Sequence, residues 1–302
     1  MTGPMVSVIV TTFNSARFLR ECLDSVFAQT LGDYEVIVVD NCSTDGTHAI
    51  VESYGTRVRW LSSERDVLPG VTRNIGMRAA TGRYIAFLDS DDAWYSNKLA
   101  EQVAFMEANP NVAMCHSYVH VMDERSVVQM VRHEESIPPT GPCFQALLKH
   151  CFVSTSSVMV RRSVVLDEKL FFPSDPKTDR TGEDYLFFLL IARRHNIGLV
   201  DQVLAKYRWY GTSITSRFGW RIVPENTIVH ETILTNPVYW AGIVPRRQPL
   251  EVFVNACLGN AYYWRMRRRT GYALHFNLRA LRRDPCCGRA WAGLVKSFFQ
   301  AR

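Results

Sequence analysis

The sequence predicts an α/β protein built on a mostly parallel sheet with helices on both faces. Three observations predict it: short apolar runs rich in β-formers, amphipathic stretches between these runs, and turn residues at the junctions. With 302 residues, the chain is long enough for one or two domains. A hydrophobic content of 47% and a charged content of 21% are ordinary for a globular protein.

Strands and helices alternate in the first part of the chain. The predicted strands are VSVIVTT (6–12), YEVIVVD (34–40), RVRWL (57–61) and RYIAFLD (83–89). The predicted helices between them are an amphipathic helix over 15–30, a helix capped by STDGT, and GVTRNIGMRAA. The strand-like segments VAMCHSYVHVM and VSTSSVMV follow, and then a helix from about 182 to 195. This alternation favours a Rossmann-like arrangement of parallel strands.

Beyond about residue 216 the pattern becomes helical. The segments PENTIVHETILTN, PLEVFVNACLGNAYYWRMRRR, GYALHFNLRALRRDP and CGRAWAGLVKSFF are separated by Pro or Gly. We therefore predict a sheet domain over 1–215 and a C-terminal helical extension over 216–302.

The net charge of +6 is concentrated in the helical region. One segment, WRMRRRTGYALHFNLRALRRDP, carries Arg265, Arg267, Arg268, Arg269, Arg279, Arg282 and Arg283. The simplest interpretation is a solvated helical face, and the functional alternatives are contact with anionic lipid head groups or with a phosphorylated acceptor. No nucleic-acid motif accompanies the charge, so nucleic acid is not a predicted partner.

The sequence shows no pattern typical of export or membrane insertion. The longest near-apolar run, DYLFFLLIAR, is about half of the ~20 residues that a membrane-spanning helix needs. The segment MTGPMVSVIV lacks the basic start and the cleavage site of a secretory signal. The eight cysteines show no metal-ligand spacing. We expect a cytoplasmic protein with reduced thiols, with a peripheral position at the inner face of the membrane as an option.

Three carboxylates, Asp89, Asp91 and Asp92, follow the apolar run 84–88. The carboxyl end of such a strand is where open α/β sheets bind ligands. The clustered negative charges repel one another unless a cation neutralises them. A hard divalent ion such as Mn²⁺ or Mg²⁺ fits, and such ions often also hold the phosphates of a nucleotide. The segment therefore predicts a metal-assisted enzyme that acts on a diphosphate.

Polar residues also follow the other predicted strands and begin the third helix. They are Thr11, Thr12, Asn14, Asp40, Asn41, Arg73, Asn74 and Ser90. Because the carboxyl ends of parallel strands meet at one edge of a sheet, we expect these groups to converge there.

Four segments resemble, in order, the blocks of family 2 glycosyltransferases with the GT-A fold. They are VSVIVTTFN, EVIVVDNCSTDGT, TRNIGMRAATGRYIAFLDSDDAW and GEDYLFFLLIAR. The resemblance extends from residue 6 to about 215. It implies a nucleotide-sugar donor, a divalent metal (Mn or Mg) and inversion at the anomeric carbon.

The resemblance implies roles for the residues that match the family's nucleotide site. Thr12 and Asn14 lie in the loop around the nucleotide base, and Asp40 matches the aspartate that hydrogen-bonds the base, typically uracil. Arg73 matches a residue near the base and the diphosphate.

The segment DSDD carries the remaining donor-site roles. Asp89 resembles the position that contacts ribose, with Ser90 beside it in the donor site, and Asp91 matches the carboxylate that ligates the metal. Two roles are open for Asp92: support of the metal site or capping of the next helix.

The start of the helix near 182 is predicted to hold the base. In an inverting transfer an acceptor hydroxyl attacks the anomeric carbon opposite the leaving diphosphate, and a carboxylate must take its proton. Glu183 and Asp184 could also serve only as N-terminal charge that complements the helix dipole. The resemblance implies that Asp184 is the base and that Glu183 binds or orients the acceptor.

One segment departs from the family. Many relatives carry Tyr-Arg-x-His after the base, but YRWYGTS has Tyr210 at the position of that histidine. Tyrosine is a poor metal ligand at neutral pH because its ordinary pKa is about 10. The metal could then rely more on Asp91, or contacts to the leaving group could shift to Arg208.

Together these residues predict a metal-dependent glycosyltransferase. It would move a sugar from a nucleoside-diphosphate donor, UDP before others, to a hydroxyl of a sugar or lipid-linked acceptor, in the synthesis of cell-surface polysaccharide or glycolipid. A sugar-phosphate nucleotidylyltransferase is one alternative, but it usually has a glycine-rich loop where this chain has TTFNSARF. A non-catalytic nucleotide-sugar-binding protein is the other, which Tyr210 keeps open.

Overall fold

The structure, a computed structural model, describes residues 3–63, 67–132, 137–174, 182–211 and 222–299. The chain divides into two compact units, Met1–Ser213 and Ile214–Arg302. The assignment of functions to 1–215 and 216–302 stays a prediction.

The described residues of the first unit form a mixed sheet flanked by helices. The strands are β1 (Val6–Thr12), β2 (Tyr34–Asp40), β3 (Val58–Ser62), β4 (Tyr84–Asp89), β5 (Ala93–Trp94), β6 (Val112–Met122), β7 (Val128–Arg132), β8 (Met159–Arg161) and β9 (Asn196–Arg208). The helices are α1 (Leu19–Phe27), α2 (Thr47–Glu52), α3 (Pro69–Ala79), α4 (Lys98–Ala108), α5 (Phe144–Lys149), α6 (Arg162–Asp167) and α7 (Glu183–Ala192).

The sheet has a parallel half and a mixed half. Its order is β3-β2-β1-β4-β8-β6-β9-β5, with β7 paired to β6. Strands β3, β2, β1 and β4 are parallel, as the alternation of strands and helices predicts. Strand β8 is antiparallel to β4, and β6 pairs in parallel with β9. The parallel half therefore presents its strand ends at one edge, where a ligand site is expected.

Both faces of the parallel half are covered by helices. Val8 belongs to the core that includes Leu23 of α1, whereas its neighbour Ile9 points to the opposite face because side chains alternate along a strand. Helix α3 lies on that opposite face. A Cβ on Gly76 would come within 2.5 Å of Ile9 Cγ2, so the helix approaches the sheet this closely only because residue 76 has no side chain.

The structure corrects the secondary-structure prediction in the middle of the chain. The segment VSTSSVMV, predicted as strand, contains a 3₁₀ turn over Thr155–Ser157, and only Met159–Arg161 is strand. The long strand β9 (Asn196–Arg208) was not predicted. Helix α1 is shorter than the predicted range 15–30 and begins at Leu19.

The second unit is helical, as predicted. Its described helices are α8 (Ile222–Thr235), α9 (Arg247–Met266), α10 (Thr270–Arg283) and α11 (Gly288–Phe299). Its core includes Phe253, Cys257 and Leu281. No described helix combines the length and the apolar character that crossing a membrane requires.

Candidate active site

The strand register brings polar residues of three strands to one edge of the sheet. Thr12 at the end of β1 lies level with Asp40 at the end of β2, and Thr11 lies level with Asp89 at the end of β4. The Thr11 hydroxyl donates to Asp89 Oδ1 over 3.4 Å. The expected convergence of strand ends is therefore present in the structure.

Asn14 and Asp40 meet through Ser43. The backbone amide of Asn14 donates to Ser43 Oγ over 2.8 Å, and the Ser43 hydroxyl donates to Asp40 Oδ1 over 2.5 Å. Asn14 Oδ1 also accepts from the backbone amide of Thr44. The backbone of Asn14 has a φ of +47°, which is tolerated because asparagine adopts the left-handed region more readily than most residues. These bonds fix the two loops that the resemblance assigns to the nucleotide base.

Thr12 and Ser90 are both buried at the same edge, but their hydroxyls differ. Thr12 Oγ1 has no hydrogen-bond partner among the described residues, so a ligand atom could satisfy it. The Ser90 hydroxyl donates to Ser15 Oγ over 2.8 Å, which ties the DSDD segment to the loop before α1.

Arg73 joins the strand edge to the start of α7. Its Nη2 donates to Asp89 Oδ1 over 2.8 Å, and its Nη1 donates to Glu183 Oε1 over 2.5 Å. Burial lowers the pKa of Arg73, but the negative charges of Asp89, Glu183 and Asp184 raise it above its ordinary value. Arg73 therefore keeps its charge in a site that buries it.

Asp184 sits next to this ion-pair network, and both of its oxygens accept hydrogen bonds. Oδ2 accepts from the Thr155 hydroxyl over 2.9 Å, and Oδ1 accepts from the amide of Tyr185 over 2.7 Å. The carboxylate is half-buried. It is held in place and still reachable from solvent, as a base that takes a proton from an acceptor must be.

The carboxylates of the DSDD segment have distinct environments. Burial, and then the charge of Asp89, raises the pKa of Asp91 to about 6. Asp92 is 1% exposed, and burial, followed by the charge of Asp91, raises its pKa well above its ordinary value. Its oxygens accept from the Ser156 hydroxyl and from the amide of Arg208. Asn97, not Asp92, is the N-cap residue of α4, so the capping role is ruled out for Asp92 and support of the metal site stays a prediction.

Tyr210 and Arg208 both contact the Asp91 residue. The Tyr210 hydroxyl donates to Asp91 Oδ2 over 3.1 Å, and Arg208 Nε donates to the Asp91 carbonyl over 2.7 Å. The guanidinium of Arg208 is fully buried and also binds Glu21 over 2.6 Å. Arg208 is therefore committed to holding the protein together, contrary to the suggestion that it could take over contacts to the leaving group.

The residues at this edge fit a divalent ion. Asp91 offers carboxylate oxygen, the donor type that Mn²⁺ and Mg²⁺ prefer. Its pKa is raised by burial first and by the negative charge of Asp89 second, and a bound cation would offset that charge. Among the described residues, no group of three or more His, Cys, Asp or Glu side chains could hold a metal. The fit is thus to an ion that takes few protein ligands and completes its shell with phosphate oxygens and water.

Comparison with known proteins identifies the family. Residues 7–168 match the sequence profile described as Glycosyl transferase family 2. The chain belongs to this family. This is a family of glycosyltransferases, and membership in it argues against the nucleotidylyltransferase alternative.

Relatives of the family-2 chain include proteins of lipid-linked sugar assembly. The Escherichia coli protein WfgD, named UDP-Glc:alpha-D-GlcNAc-diphosphoundecaprenol beta-1,3-glucosyltransferase, is 30% identical over a match that covers 72% of this chain and 81% of WfgD. An uncharacterized glycosyltransferase of Rickettsia felis is 31% identical over 70% of this chain. The chain spans 34% of the length of that rickettsial protein.

Solved structures with the same fold are GT-A glycosyltransferases. TarS 1–349 of S. aureus, solved with UDP-GlcNAc, has a TM-score of 0.65 and 21% identity, and the match covers 98% of this chain and 88% of TarS 1–349. The mannosyltransferase PcManGT of Pyrobaculum calidifontis, solved with GDP-Man and Mn²⁺, has a TM-score of 0.56 and 18% identity. The match covers 100% of this chain and 89% of the PcManGT chain. These structures establish the GT-A fold of this family-2 chain.

The structure groups most of the predicted site residues of this family-2 chain. Arg73, Asp89 and Glu183 form one network with Asp184 next to it in the chain, Asn14 and Asp40 share Ser43, and Asp91 stands apart with Tyr210. Sequence reasoning missed Thr155 and Ser156, which contact the carboxylates. The only signal for them was the run STSS between apolar residues, which a strand explained equally well.

Proposed function

We propose that this chain transfers a sugar from a uridine-diphosphate donor to an acceptor hydroxyl with inversion at the anomeric carbon. One observation carries the proposal: buried Arg73 links Asp89, at the end of β4, to Glu183, which directly precedes Asp184. The residues predicted to bind the donor thus share one ion-pair network with Glu183, the residue that directly precedes the predicted base.

The relatives support the choice of a uridine-diphosphate donor. WfgD is named as a UDP-Glc-dependent enzyme, and TarS 1–349 was solved with UDP-GlcNAc. PcManGT was solved with GDP-Man, so guanosine donors belong in any test. Asp40 and Asn14 are the residues we propose to bind the base, with Thr12 Oγ1 available to a ligand.

In the proposed reaction, Asp184 takes the proton of the acceptor hydroxyl as the hydroxyl oxygen bonds to the anomeric carbon. The bond from that carbon to the diphosphate oxygen breaks, and its electron pair leaves with the nucleoside diphosphate. Because attack and departure occur on opposite faces of one carbon, the configuration inverts. Glu183 is committed to Arg73, so we propose that it orients the site and does not bind the acceptor directly.

Asp91 is the residue we propose to hold a divalent ion, either Mn²⁺ or Mg²⁺. When bound, such an ion supplies Lewis-acid stabilisation of the negative charge on the diphosphate. Arg73 adds a second positive charge at the strand edge, and its ion pairs with Asp89 and Glu183 keep it there.

The acceptor we propose is a sugar on a lipid carrier, used in the synthesis of surface polysaccharide or glycolipid. The name of WfgD, which includes diphosphoundecaprenol, supports this class. In the second unit, Arg267, Arg268 and Arg269 are exposed beside exposed Met266 and Tyr272, a combination suited to an anionic membrane surface. Arg279 and Arg283 are paired with Glu231 and are not part of this surface. Location in the cytoplasm stays a prediction.

A thermal-shift experiment with UDP, GDP, UDP-glucose and GDP-mannose, each with and without Mn²⁺, tests the donor site. A ligand that binds only the folded state raises the melting temperature by mass action. At a ligand concentration of 100 times Kd, the free energy of unfolding rises by about 2.7 kcal/mol. We expect a shift with UDP that needs Mn²⁺ and is lost in Asp91→Ala but kept in the control Asp201→Ala, an exposed aspartate of β9. No shift with any nucleotide would overturn the proposal.

A further inference from the structure

Four consecutive hydroxyl residues, Ser154 to Ser157, lie buried at the edge that carries the site. Their exposed fractions are 9%, 5%, 1% and 0%. A buried hydroxyl that lacks a hydrogen bond costs about 1–3 kcal/mol, so each of these groups needs a partner. The Ser157 hydroxyl donates to the Ser154 carbonyl within the turn. The hydroxyls of Thr155 and Ser156 reach outside the turn to carboxylates.

Thr155 is directed to Asp184. Its hydroxyl donates to Oδ2 over 2.9 Å, while Oδ1 accepts from the Tyr185 amide at the start of α7. A carboxylate has about four lone-pair sites, so two hydrogen bonds fix its orientation and leave sites that can accept a proton. The charge of Asp184 acts on Arg73, but the hydrogen bonds of Asp184 among the described residues come from Thr155 and Tyr185.

Ser156 is directed to the DSDD segment. Its hydroxyl donates to Asp92 Oδ2 over 2.5 Å, and its Oγ accepts from the Asp89 amide over 3.2 Å. Because Thr155 and Ser156 are neighbours in the chain, their Cα atoms are only about 3.8 Å apart. The spacing between the Asp184 carboxylate and the DSDD segment is therefore set by one peptide unit and two side-chain hydrogen bonds.

Two buried side chains outside the turn donate hydrogen bonds to its carbonyl groups. The indole Nε1 of Trp94 donates to the Ser156 carbonyl over 2.7 Å, and Gln102 Nε2 donates to the Ser157 carbonyl over 2.7 Å. Both side chains are buried. Amides of the turn close it further, since the Ser157 amide donates to the Ser154 carbonyl over 2.9 Å. The two hydroxyls are thus presented by a rigid support.

We propose that Thr155 and Ser156 are positioning residues of the glycosyltransferase site: Thr155 orients the base Asp184, and Ser156 holds the DSDD segment that carries Asp91. This inference rests on the proposed function. It assigns different effects to adjacent hydroxyls. Loss of the Thr155 hydroxyl disturbs proton removal, whereas loss of the Ser156 hydroxyl disturbs the segment that is to hold the ion.

The test compares Thr155→Val, Thr155→Ser and Ser156→Ala by the release of UDP from UDP-glucose in Mn²⁺, which needs no acceptor but water. For Thr155→Val we expect kcat to fall about 10- to 100-fold, because a displaced catalytic group costs this much, with an unchanged KM for UDP-glucose. Thr155→Ser retains a hydroxyl and should recover most of kcat. In an Asp184→Asn background Thr155→Val should cause no further loss, since residues that act as one unit are not additive.

Mn²⁺ binding in the presence of UDP gives a readout that does not depend on turnover. We expect Ser156→Ala to weaken Mn²⁺ binding about tenfold, a typical cost of removing support from a metal ligand. Thr155→Val should leave Mn²⁺ binding unchanged. The matched control is Ser157→Ala, which removes a buried hydroxyl that donates only within the turn. It should change neither quantity.

The outcomes separate this inference from the function on which it rests. A wild-type protein that releases no UDP and binds none contradicts the proposed function. The inference alone is overturned if the wild-type protein releases UDP and Thr155→Val has the same kcat as the wild type. The same holds if Thr155→Val changes only the KM for UDP-glucose and leaves kcat unchanged. An equal loss in Ser157→Ala would also overturn it, because the integrity of the turn and not the two hydroxyls would then be responsible.

Discussion

Arg73 and Glu183 form a buried ion pair between residues 110 positions apart in the chain, with Nη1 and Oε1 2.5 Å apart. The side chains are 8% and 7% exposed. The pair fastens the first turn of α7 to α3, and Arg73 extends the connection to Asp89 over 2.8 Å. The position of Asp184, the next residue in α7, therefore depends on a charge contributed by α3.

The Arg73 pair predicts a large loss of stability when the arginine is removed. Arg73→Met should lower the free energy of unfolding by about 3–5 kcal/mol, because it removes the buried cation that forms an ion pair with buried Glu183. Urea unfolding measures this change. The control is Arg83→Met, whose ion pair with Glu107 is exposed and should contribute at most about 1 kcal/mol. Equal losses of unfolding free energy in Arg73→Met and Arg83→Met would contradict the conclusion that the buried ion pair of Arg73 contributes more to stability than an exposed one.

Tyr210 is expected to support the metal ligand without replacing it. Tyr210→Phe removes the hydrogen bond to Asp91 Oδ2 and should weaken Mn²⁺ binding about 10- to 100-fold, as loss of such support typically does. Calorimetric titration with Mn²⁺ in the presence of UDP measures it. Tyr54→Phe is the matched control, because its hydroxyl bonds Asp24. Unchanged Mn²⁺ affinity in Tyr210→Phe would show that Asp91 needs no help from residue 210.

Lys98 predicts a dependence of stability on pH. Its buried ammonium lies 3.8 Å from the centroid of the Trp94 ring and donates to Gln102 Oε1 over 2.7 Å. Burial lowers its pKa from 10.5 to about 7, against a smaller opposite effect of Cys115. Below about pH 7 both the folded and the unfolded chain hold this proton. Between that pH and the ordinary value only the unfolded chain holds it, so stability rises with pH in this window.

The measurement compares wild-type protein with Lys98→Met by urea unfolding at several pH values. Other titrating groups cancel in the difference between the two proteins. Relative to that of the variant, the free energy of unfolding of the wild type should rise by up to about 1.4 kcal/mol per pH unit between about pH 7 and about pH 10. A difference that stays constant over this window would show that Lys98 titrates at an ordinary pKa.

The parallel half of the sheet and its donor edge were predictable because their signals are local. Strands over 6–12 and 34–40 appear in the structure with the predicted bounds, since each contains an apolar run, VIV (8–10) or VIVV (36–39), that is followed by a polar residue. The acidic segment after β4 was predictable for the same reason. Parallel topology then fixes the register that brings Asp40 and Asp89 to one edge.

Features that depend on distant partners were not predictable. The turn over Thr155–Ser157 forms where its hydroxyls meet Asp184 and Asp92, which are 29 and 64 positions away in the chain. Local sequence shows only small polar residues between valines, which suit a strand as well. The role of Arg208 was hidden for the same reason, because its partner Glu21 is 187 positions away.

The most direct test of the proposed transferase is the release of UDP from UDP-glucose by wild type and by Asp184→Asn, with Kd for UDP measured in parallel. Asparagine has nearly the shape of aspartate but cannot take a proton. We predict a fall in turnover of about 10²- to 10⁴-fold with an unchanged Kd for UDP. Turnover of Asp184→Asn equal to that of the wild type would contradict the assignment of the base, and with it the proposed mechanism.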